Sequence, residues 1–346
     1  MKVTIRDVAR LAGLSAMTVS RVINGQPRVS DEARRRVEAA VAELGYIPNG
    51  LARGLIRRQT KMIGLIVPDI ANPFFTLVVR GAEDVAWRAG YRVILGNTQT
   101  DLERERAHLE DMLAFQVDGV LIAPVSDRSA PQLRALGRNQ VPFVLVDRSI
   151  AGFHGDLVQG DSVAGARVLV EHLIGLGHRQ IAMITEPDDV STARDRLRGY
   201  REALEAAEIE PRTDFIAEAS AIRPRMARDA ALRLLDLPKP PTAIFALNNI
   251  AASGVAEAAR ERHLAIPADL GLVCFDDIEL ASRLDPFLTV LAQPAETFGT
   301  IGMQLLLDRV AGRVSERGRT VVLPGELVAR ASAASPAFQA GLTGAR

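Results

Sequence analysis

Polar side chains that can bind hydroxyl groups recur in this chain after short apolar runs. Asn72, Asp147 and Asp276 each follow a run that is typical of a buried strand. Carboxylates and amides bond to hydroxyl groups, an arginine presents a rigid fork of N–H donors, and aromatic faces can cover the apolar side of a ring. The residues selected on these grounds are Asn72, Phe74, Phe75, Asp147, Arg148, Arg196, Asn248, Asp276 and Gln293. Together they have the chemistry of a sugar-binding site.

Each of these residues also has an ordinary structural explanation. A single polar residue at a strand end is as often an N-cap, and Phe74 and Phe75 can be core residues. Asp161 and Asp277 lie near the set in the sequence and are interpreted as structural. The binding interpretation therefore depends on whether the fold brings the selected side chains together.

From Lys61 onward, short apolar runs alternate with amphipathic segments. Residues 62–68 predict a buried strand, and residues 74–90 predict a helix that ends at a glycine. A second series of the same kind begins near Leu157. Such series predict the fold class α/β, with two lobes that each contain a doubly wound parallel sheet. Because ligands bind beyond the carboxyl ends of such strands, we expect the selected side chains to meet in one cleft between the lobes.

The N-terminal residues 4–24 predict two short helices joined by a tight turn. Apolar residues recur at helical spacing until Gly13, and Ser15 is a suitable N-cap for the second helix. This pattern indicates a helix-turn-helix, whose second helix enters the major groove of DNA. A third helix is predicted over residues 30–44 and capped by Ser30. An ordinary helical hairpin is the alternative.

The second helix is expected to bury Val19 and Val22 and to leave other side chains to face the bases. Arg21 is the natural partner for a guanine edge, whereas Ala16 and Met17 can offer only apolar contact, for instance to a thymine methyl group. This surface is the predicted reading surface of the head.

The charge distribution supports a DNA-binding N-terminal end. The chain holds 42 basic and 42 acidic residues, so its net charge is zero. Residues 1–61 hold 12 of the Lys and Arg but only 5 of the Asp and Glu, so the remainder of the chain is acidic. A basic end of this kind is attracted to phosphates, while the acidic part is not.

Other classes of protein fit the sequence less well. No stretch of about 18 apolar residues and no signal-peptide core is present, so we expect neither a membrane span nor secretion. The single Cys274 excludes an internal disulfide, and the expected location is the cytoplasm. The histidines are scattered without the spacing of a metal site, so we expect neither a metal nor a cofactor.

An enzyme on the same core would need a phosphate-loop, dinucleotide or nucleophile motif, and none is found. A transport-type sugar-binding protein would need a secretion signal and would carry no DNA-reading head.

Three motifs resemble those of a known family. They are TIRDVA, TVSRVIN and YIPNGLARGL, which begin at Thr4, Thr18 and Tyr46. On these motifs the chain resembles the lac/purine/galactose repressor family of transcriptional regulators, whose core is similar to ribose-type periplasmic binding proteins. The resemblance extends to about residue 330 and makes the helical-hairpin alternative remote.

The resemblance implies a domain organisation. It gives a helix-turn-helix head, a hinge helix with its linker, a two-lobed core for effector binding and dimerisation, and a tail, over residues 1–47, 48–61, 62–333 and 334–346. Within the core, the first lobe is expected at about 62–159 and 292–330 and the second at about 160–290. The family fold crosses between the lobes three times, and the last segment is expected to return to the first lobe.

The resemblance also implies a homodimeric repressor whose heads each bind one half of a near-palindromic operator in double-stranded DNA. In the hinge, Leu55 is expected to wedge into the minor groove and kink it. The expected DNA-contacting residues are Thr4, Ser15, Ala16, Met17, Thr18, Ser20, Arg21, Asn24, Asn49, Ala52, Arg53 and Leu55.

The selected polar and aromatic residues match the pocket of ribose-type binding proteins position for position. Ile222 is a departure, because many relatives have an aromatic residue there, and the identity of the sugar therefore stays open. A neutral pentose or hexose is the expected effector, since Arg148 adjoins Asp147 and no phosphate cradle is evident. A purine or another non-sugar effector is the alternative, and release of DNA on binding is the more usual logic for catabolic sugars.

Overall fold

The structure of the chain is a computed structural model that describes residues 3–26, 29–47, 59–220, 222–314 and 318–333. The chain divides into two compact units, Met1–Lys61 and Met62–Arg346, and each is described by itself. In the described residues, no helix combines the length and the apolar character that crossing a membrane requires.

The described residues of the first unit form three helices, with α1 at Ile5–Ala12, α2 at Ala16–Ile23 and α3 at Asp31–Leu44. Its core includes Val8, Val19, Val22 and Val37, all buried. The turn between α1 and α2 needs Gly13, whose φ of 63° lies in the left-handed region.

The helix starts of the head are set by hydroxyl side chains. Ser15 Oγ accepts from the Thr18 amide at 3.1 Å, and Ser30 Oγ accepts from the Ala33 amide at 3.3 Å. The predicted helix-turn-helix and both predicted N-caps are confirmed, with Ser30 lying just before the helix that it caps.

In the part of the second unit that the structure describes, the strands form two sheets of six strands each. The strands of the first lobe are β1 Met62–Val67, β2 Arg92–Asn97, β3 Gly119–Ile122, β4 Phe143–Val146, β5 Asp156–Gly160 and β11 Thr320–Leu323. They are all parallel and lie in the order β11-β5-β4-β3-β1-β2. The helices of this lobe are α4 Pro73–Arg88, α5 Leu102–Ala114, α6 Ala130–Arg138 and α12 Ala295–Val310.

The second lobe repeats this strand order. Its strands are β6 Ile181–Thr185, β7 Ile216–Glu218, β8 Ala243–Ala246, β9 Gly271–Phe275, β10 Thr289–Ala292 and β12 Glu326–Val328. They lie in the order β12-β10-β9-β8-β6-β7, and only the β10–β12 pair is antiparallel. Its helices are α7 Ser162–Gly175, α8 Ser191–Ala206, α9 Pro224–Leu235, α10 Asn249–Glu261 and α11 Glu279–Leu284.

Each sheet is buried on both faces, which explains the continuous apolar runs in the sequence. On β1, Ile63, Leu65 and Val67 pack into the cluster beneath α4 and α12, whereas Ile66 packs into the cluster beneath α5 and α6. The alternation of period two is therefore present inside a run that is apolar throughout. The predicted α/β class and the two lobes of doubly wound sheet are confirmed.

The chain crosses between the lobes after β5, after β10 and after β11. The expected return of the last segment to the first lobe is wrong for residues 326–328, because β12 pairs with β10 of the second sheet. The Ser332 hydroxyl fixes the following turn on the same lobe, since it donates to the Leu272 carbonyl at 2.6 Å. A three-residue edge strand that is exposed or half-buried leaves no strong apolar run, so its partner could not be recognised from the sequence.

Candidate functional site

Two aspartates stand at equivalent strand ends in the two lobes. Asp147 follows β4 and Asp276 follows β9, with φ of 67° and 69°. Each backbone N–H donates to the neighbouring strand, to Val158 at 2.8 Å and to Leu291 at 3.0 Å. Asp tolerates the left-handed conformation better than most residues. The same turn therefore presents a carboxylate at the carboxyl edge of each sheet.

Two asparagines begin helices at the same edges. The Asn72 Oδ1 accepts from the Phe74 amide at 3.0 Å, and the Asn248 Oδ1 accepts from the Ala251 amide at 2.8 Å. Both are N-caps, as the structural explanation proposed, and both also line the cavity described below. Capping fixes the rotamers of the two amides and so preorganises them.

Arg148 is held by groups of both lobes. Its Nη1 donates to the Val125 carbonyl at 2.9 Å, and the N–H of Val125 donates to the buried carboxylate of Glu105 at 2.7 Å. Its Nε lies 3.8 Å from Asp147 Oδ2, and its Nη2 lies 3.5 Å from Glu186 Oε2 in the second lobe. The guanidinium therefore has little freedom to turn toward another anion.

Arg196 is equally constrained within the second lobe. It lies on α8, its Nη1 donates to the Leu247 carbonyl at 2.6 Å, and its guanidinium lies 3.8 Å above the ring of Phe275. Stacking and hydrogen bonding fix the plane of the donor fork. The side chain is 5 % exposed, so its charge acts in a desolvated site.

These side chains surround one cavity between the two lobes, which we call the cleft cavity. It is lined by Pro68, Asn72, Phe74, Phe75, Asp147, Arg148, Glu186, Thr192, Arg196, Ile222, Leu247, Asn248 and Asp276. Its volume is about 20 Å³, on the scale of a single water molecule. A sugar ring can enter only if the lobes separate or the lining side chains move.

Nine of the ten residues expected at the effector site line this cavity. Gln293 is the exception, because it lies behind Asp276 and donates from Nε2 to its Oδ1 at 2.7 Å. Gln293 is therefore placed to orient the carboxylate rather than to line the cavity. Asp161 and Asp277 have structural partners, as expected, since Asp161 caps α7 and Asp277 pairs with Arg330 at 2.6 Å.

Two polar residues that line the cavity are not among the residues predicted from the sequence. Glu186 follows β6 directly, so the strand-end rule that selected Asp147 and Asp276 would have selected it too. Thr192 precedes Arg196 by four residues on α8, so helical spacing places both on the same face.

Two carboxylates of the cleft cavity, Asp147 and Asp276, have raised pKa values. Burial raises the pKa of Asp147 to about 6; the charges of Arg148 and Arg196 oppose the rise, while those of Asp276 and Glu186 add to it. Burial also raises the pKa of Asp276, against the effects of Arg196 and of the hydrogen bond from Gln293. The lining holds three carboxylates and two guanidinium groups, so carboxylates outnumber cations there.

Further contacts join the lobes outside the cavity. The Asp127 amide donates to the Asp189 carbonyl at 2.9 Å, and the Ser149 amide donates to the Ser191 hydroxyl at 2.9 Å. Arg194 Nη1 lies 3.0 Å from Asp127 Oδ2. These interlobe contacts must break if the cleft opens.

In the head, the predicted reading surface of α2 is open to solvent. Ala16, Met17 and Arg21 are exposed, Met17 by 66 %, and Ser20 is half-buried. The side chains predicted to face the bases are therefore accessible to a partner.

The other expected DNA-contacting residues of the head also form hydrogen bonds at the ends of α1 and α2. Thr4 and Asp7 form the capping box of α1, and Thr18 bonds to the cap residue Ser15. Asn24 ends α2 and donates to Ser20 Oγ at 3.2 Å. Asn49, Ala52, Arg53 and Leu55 lie outside the described residues.

Comparison with known proteins agrees with both units. The family described as bacterial regulatory proteins, lacI family, matches residues 4–49, and the periplasmic binding protein-like domain matches residues 170–333. The ribose operon repressor of Escherichia coli (strain K12) is 37 % identical over 322 residues, which are 93 % of this chain and 97 % of that protein. The chain belongs to the lacI family. It is therefore a DNA-binding transcriptional regulator.

Solved structures of lacI-family regulators share the fold. The lac repressor dimer bound to operator and the anti-inducer ONPF is 31 % identical, with a TM-score of 0.82, and the match covers 97 % of this chain and 100 % of that one. The complex of the transcriptional regulator CelR with cellobiose is 32 % identical, with a TM-score of 0.72 over 96 % of this chain and 100 % of that one.

Proposed function

We propose that this lacI-family chain is a sugar-responsive repressor that acts in the cytoplasm as a homodimer on a near-palindromic operator. The observation that carries the sugar assignment is the cleft cavity, where carboxylates, amides, guanidinium groups and two phenylalanines from both lobes meet. Carboxylates and amides suit hydroxyl groups, and the edge-to-face pair of Phe74 and Phe75, with centroids 5.1 Å apart, presents an apolar wall.

The proposed ligand is a neutral monosaccharide of the ribose class. Each arginine of the cavity donates to a carbonyl group, and the two cations are outnumbered by three carboxylates, so the lining favours a neutral ligand over a phosphate ester. A ligand held by both lobes favours the closed cleft, and it changes DNA affinity by its differential affinity for the two lobe arrangements. Release of the operator is the proposed response.

The test is a titration of the operator complex with D-ribose, other pentoses, hexoses and purines. The operator is first selected from a random DNA pool at fixed salt, because phosphate contacts make affinity salt-dependent. We expect a palindromic selected sequence and its release by a neutral pentose or hexose. A purine that acts alone, with no sugar effective at millimolar concentration, would refute the sugar assignment but not the regulator.

The reading surface of α2 is tested separately by Arg21→Ala. Loss of a guanine contact should weaken specific binding by about 1–3 kcal/mol and relax base preference at one position of each half-site. Arg10→Ala is the matched control, because Arg10 is an exposed arginine on α1 that pairs locally with Asp7. Unchanged base preference in the Arg21 variant would contradict this role.

A further inference from the structure

Glu186 lies at the junction of two spaces between the lobes. It is 7 % exposed and lines the cleft cavity. It also lines a second, open space of about 880 Å³, which we call the outer groove. The outer groove is lined by Thr100, Asp101, Leu102, Glu103, Val125, Ser126, Arg128, Gln132, Glu186, Pro187, Asp189, Val190, Glu218, Ala219, Ser220 and Met226. Among the lining residues that the structure describes, Glu186 is the one that the two spaces have in common, so a substituent too large for the cleft cavity would pass this carboxylate.

The charge along that route is negative. Asp101, Glu103, Asp189 and Glu218 line the outer groove beside Glu186, and Arg128 is the one basic residue among its lining residues. An anionic substituent would therefore meet an excess of carboxylates in the cleft cavity and a larger excess of carboxylates in the outer groove.

The cations of the cleft cavity are fewer than its carboxylates, and protein groups hold both of them in place. Arg148 lies between Asp147 and Glu186, at 3.8 and 3.5 Å, and its Nη1 already donates to a carbonyl. Arg196 is stacked on Phe275 and bonded to the carbonyl of Leu247. The charge of Glu186 is one cause of the raised pKa of Asp147, so its field reaches across the cavity into the first lobe.

We propose that Glu186 is a specificity-determining residue that makes the cleft select neutral sugars against their phosphate esters. This inference rests on the proposed function and adds the group that sets the charge preference. A phosphate dianion held within about 8 Å of a desolvated carboxylate is repelled strongly enough to change affinity by at least about tenfold. A neutral hydroxyl group meets no such repulsion and can donate to the same carboxylate.

The experiment measures the affinities of D-ribose and D-ribose 5-phosphate by calorimetry on the full chain, in the wild type and in Glu186→Gln. The amide keeps the volume and the acceptor oxygen but removes the charge. Glu202→Gln is the matched control, since Glu202 is an exposed carboxylate farther along α8 that does not line either space. Thermal unfolding of all three proteins checks that each is folded.

We expect the wild type to prefer D-ribose and the Glu186→Gln variant to narrow that preference by at least about tenfold. Glu202→Gln should leave the ratio within about twofold of the wild type. The inference would be overturned, while the sugar assignment stands, if Glu186→Gln lowered the affinities for both ligands equally. It would also be overturned if the ratio of the two affinities did not change. Failure of the wild type to bind D-ribose, with none of the pentoses and hexoses of the operator titration effective, would overturn the proposed function, and this inference with it.

Discussion

The two lobes share one strand order but contribute different chemistry to the cleft. Asp147 and Asp276 occupy equivalent strand ends with nearly the same φ. The next residues differ, because Arg148 lines the cleft cavity, whereas Asp277 is paired with Arg330. The first lobe supplies two buried phenylalanines, and the second supplies the half-buried Ile222 and the carboxylate of Glu186. A common backbone therefore fixes where the ligand lies, and the side chains that follow each strand decide what it can be.

The lobes also differ in how their site residues are supported. Phe74 packs edge-to-face on Phe75 and on Phe298 of α12, with centroids 5.1 and 5.4 Å apart. The helices α4 and α12 approach so closely that a Cβ at Gly299 would lie 1.9 Å from the Val78 carbonyl oxygen. The aromatic wall of the first lobe is thus part of its core, while Ile222 lies at the end of a short loop before α9.

The largest expected effect on the free energy of unfolding therefore comes from truncating the aromatic wall of the first lobe, formed by Phe74 and Phe75. Phe74→Ala should lower the free energy of unfolding by about 3–5 kcal/mol, because it removes a fully packed ring. Ile222→Ala should lower it by less than about 1.5 kcal/mol, since the side chain is only half-buried. Urea unfolding of the two variants makes the comparison, and equal losses would show that the two walls are equally supported.

The ion pairs also differ between the lobes, with the more buried pair in the first lobe. Asp156, at 0 % exposure, is bonded to Arg309 at 2.8 Å and to Arg319 at 2.7 Å. Burial alone would raise the pKa of Asp156, but the hydrogen bonds from the two arginines outweigh it and lower the pKa to about 2. Asp277 in the second lobe pairs with Arg330 and is more exposed.

Asp156→Asn should lower the free energy of unfolding by about 2–3 kcal/mol at neutral pH. Because the folded pKa is depressed, this contribution is present above pH of about 4 and is lost as the pH falls toward 2. Asp277→Asn should cost about 1 kcal/mol, since its pair is partly solvated. Unfolding measured from pH 7 to pH 3 tests this, and a wild type that loses no stability relative to Asp156→Asn on acidification would contradict it.

Asp147 in the cleft behaves in the opposite sense. The pKa of Asp147 is raised to about 6, so the folded chain binds the proton more tightly than the unfolded chain. The free energy of unfolding should therefore rise by about 1–3 kcal/mol as the pH falls from about 6.5 to 4, and Asp147→Asn should lack this rise. Comparison of the two proteins over this range cancels the titration of groups elsewhere. A parallel pH dependence would show that Asp147 is not perturbed.

Most of the fold and of the site could be predicted from the sequence, and the exceptions have physical causes. The end of a buried strand can be predicted because its apolar run is followed by a polar residue. Asp147 and Asp276 are predicted in this way. Gln293 is predicted to bind the effector; it is not among the described lining residues, and sequence position could not show that its amide donates to Asp276. The three-residue strand β12 was assigned to the wrong lobe because an edge strand of half-buried residues carries no periodic signal.

The smallest expected effect concerns the interlobe contacts. The pair of Arg194 and Asp127 joins the lobes, but its side chains are 42 % and 23 % exposed. Its contribution is therefore about 0–1 kcal/mol, which shifts the balance between closed and open clefts by no more than about fivefold. Arg194→Ala should speed the release of operator by D-ribose by about two- to fivefold, because the cleft cavity must open before a sugar can enter. Arg198→Ala is the control, since Arg198 forms only local pairs on α8, with Asp195 and Glu202. Stopped-flow measurement of operator release distinguishes the two, and equal rates would mean that the Arg194–Asp127 pair does not restrain the lobes.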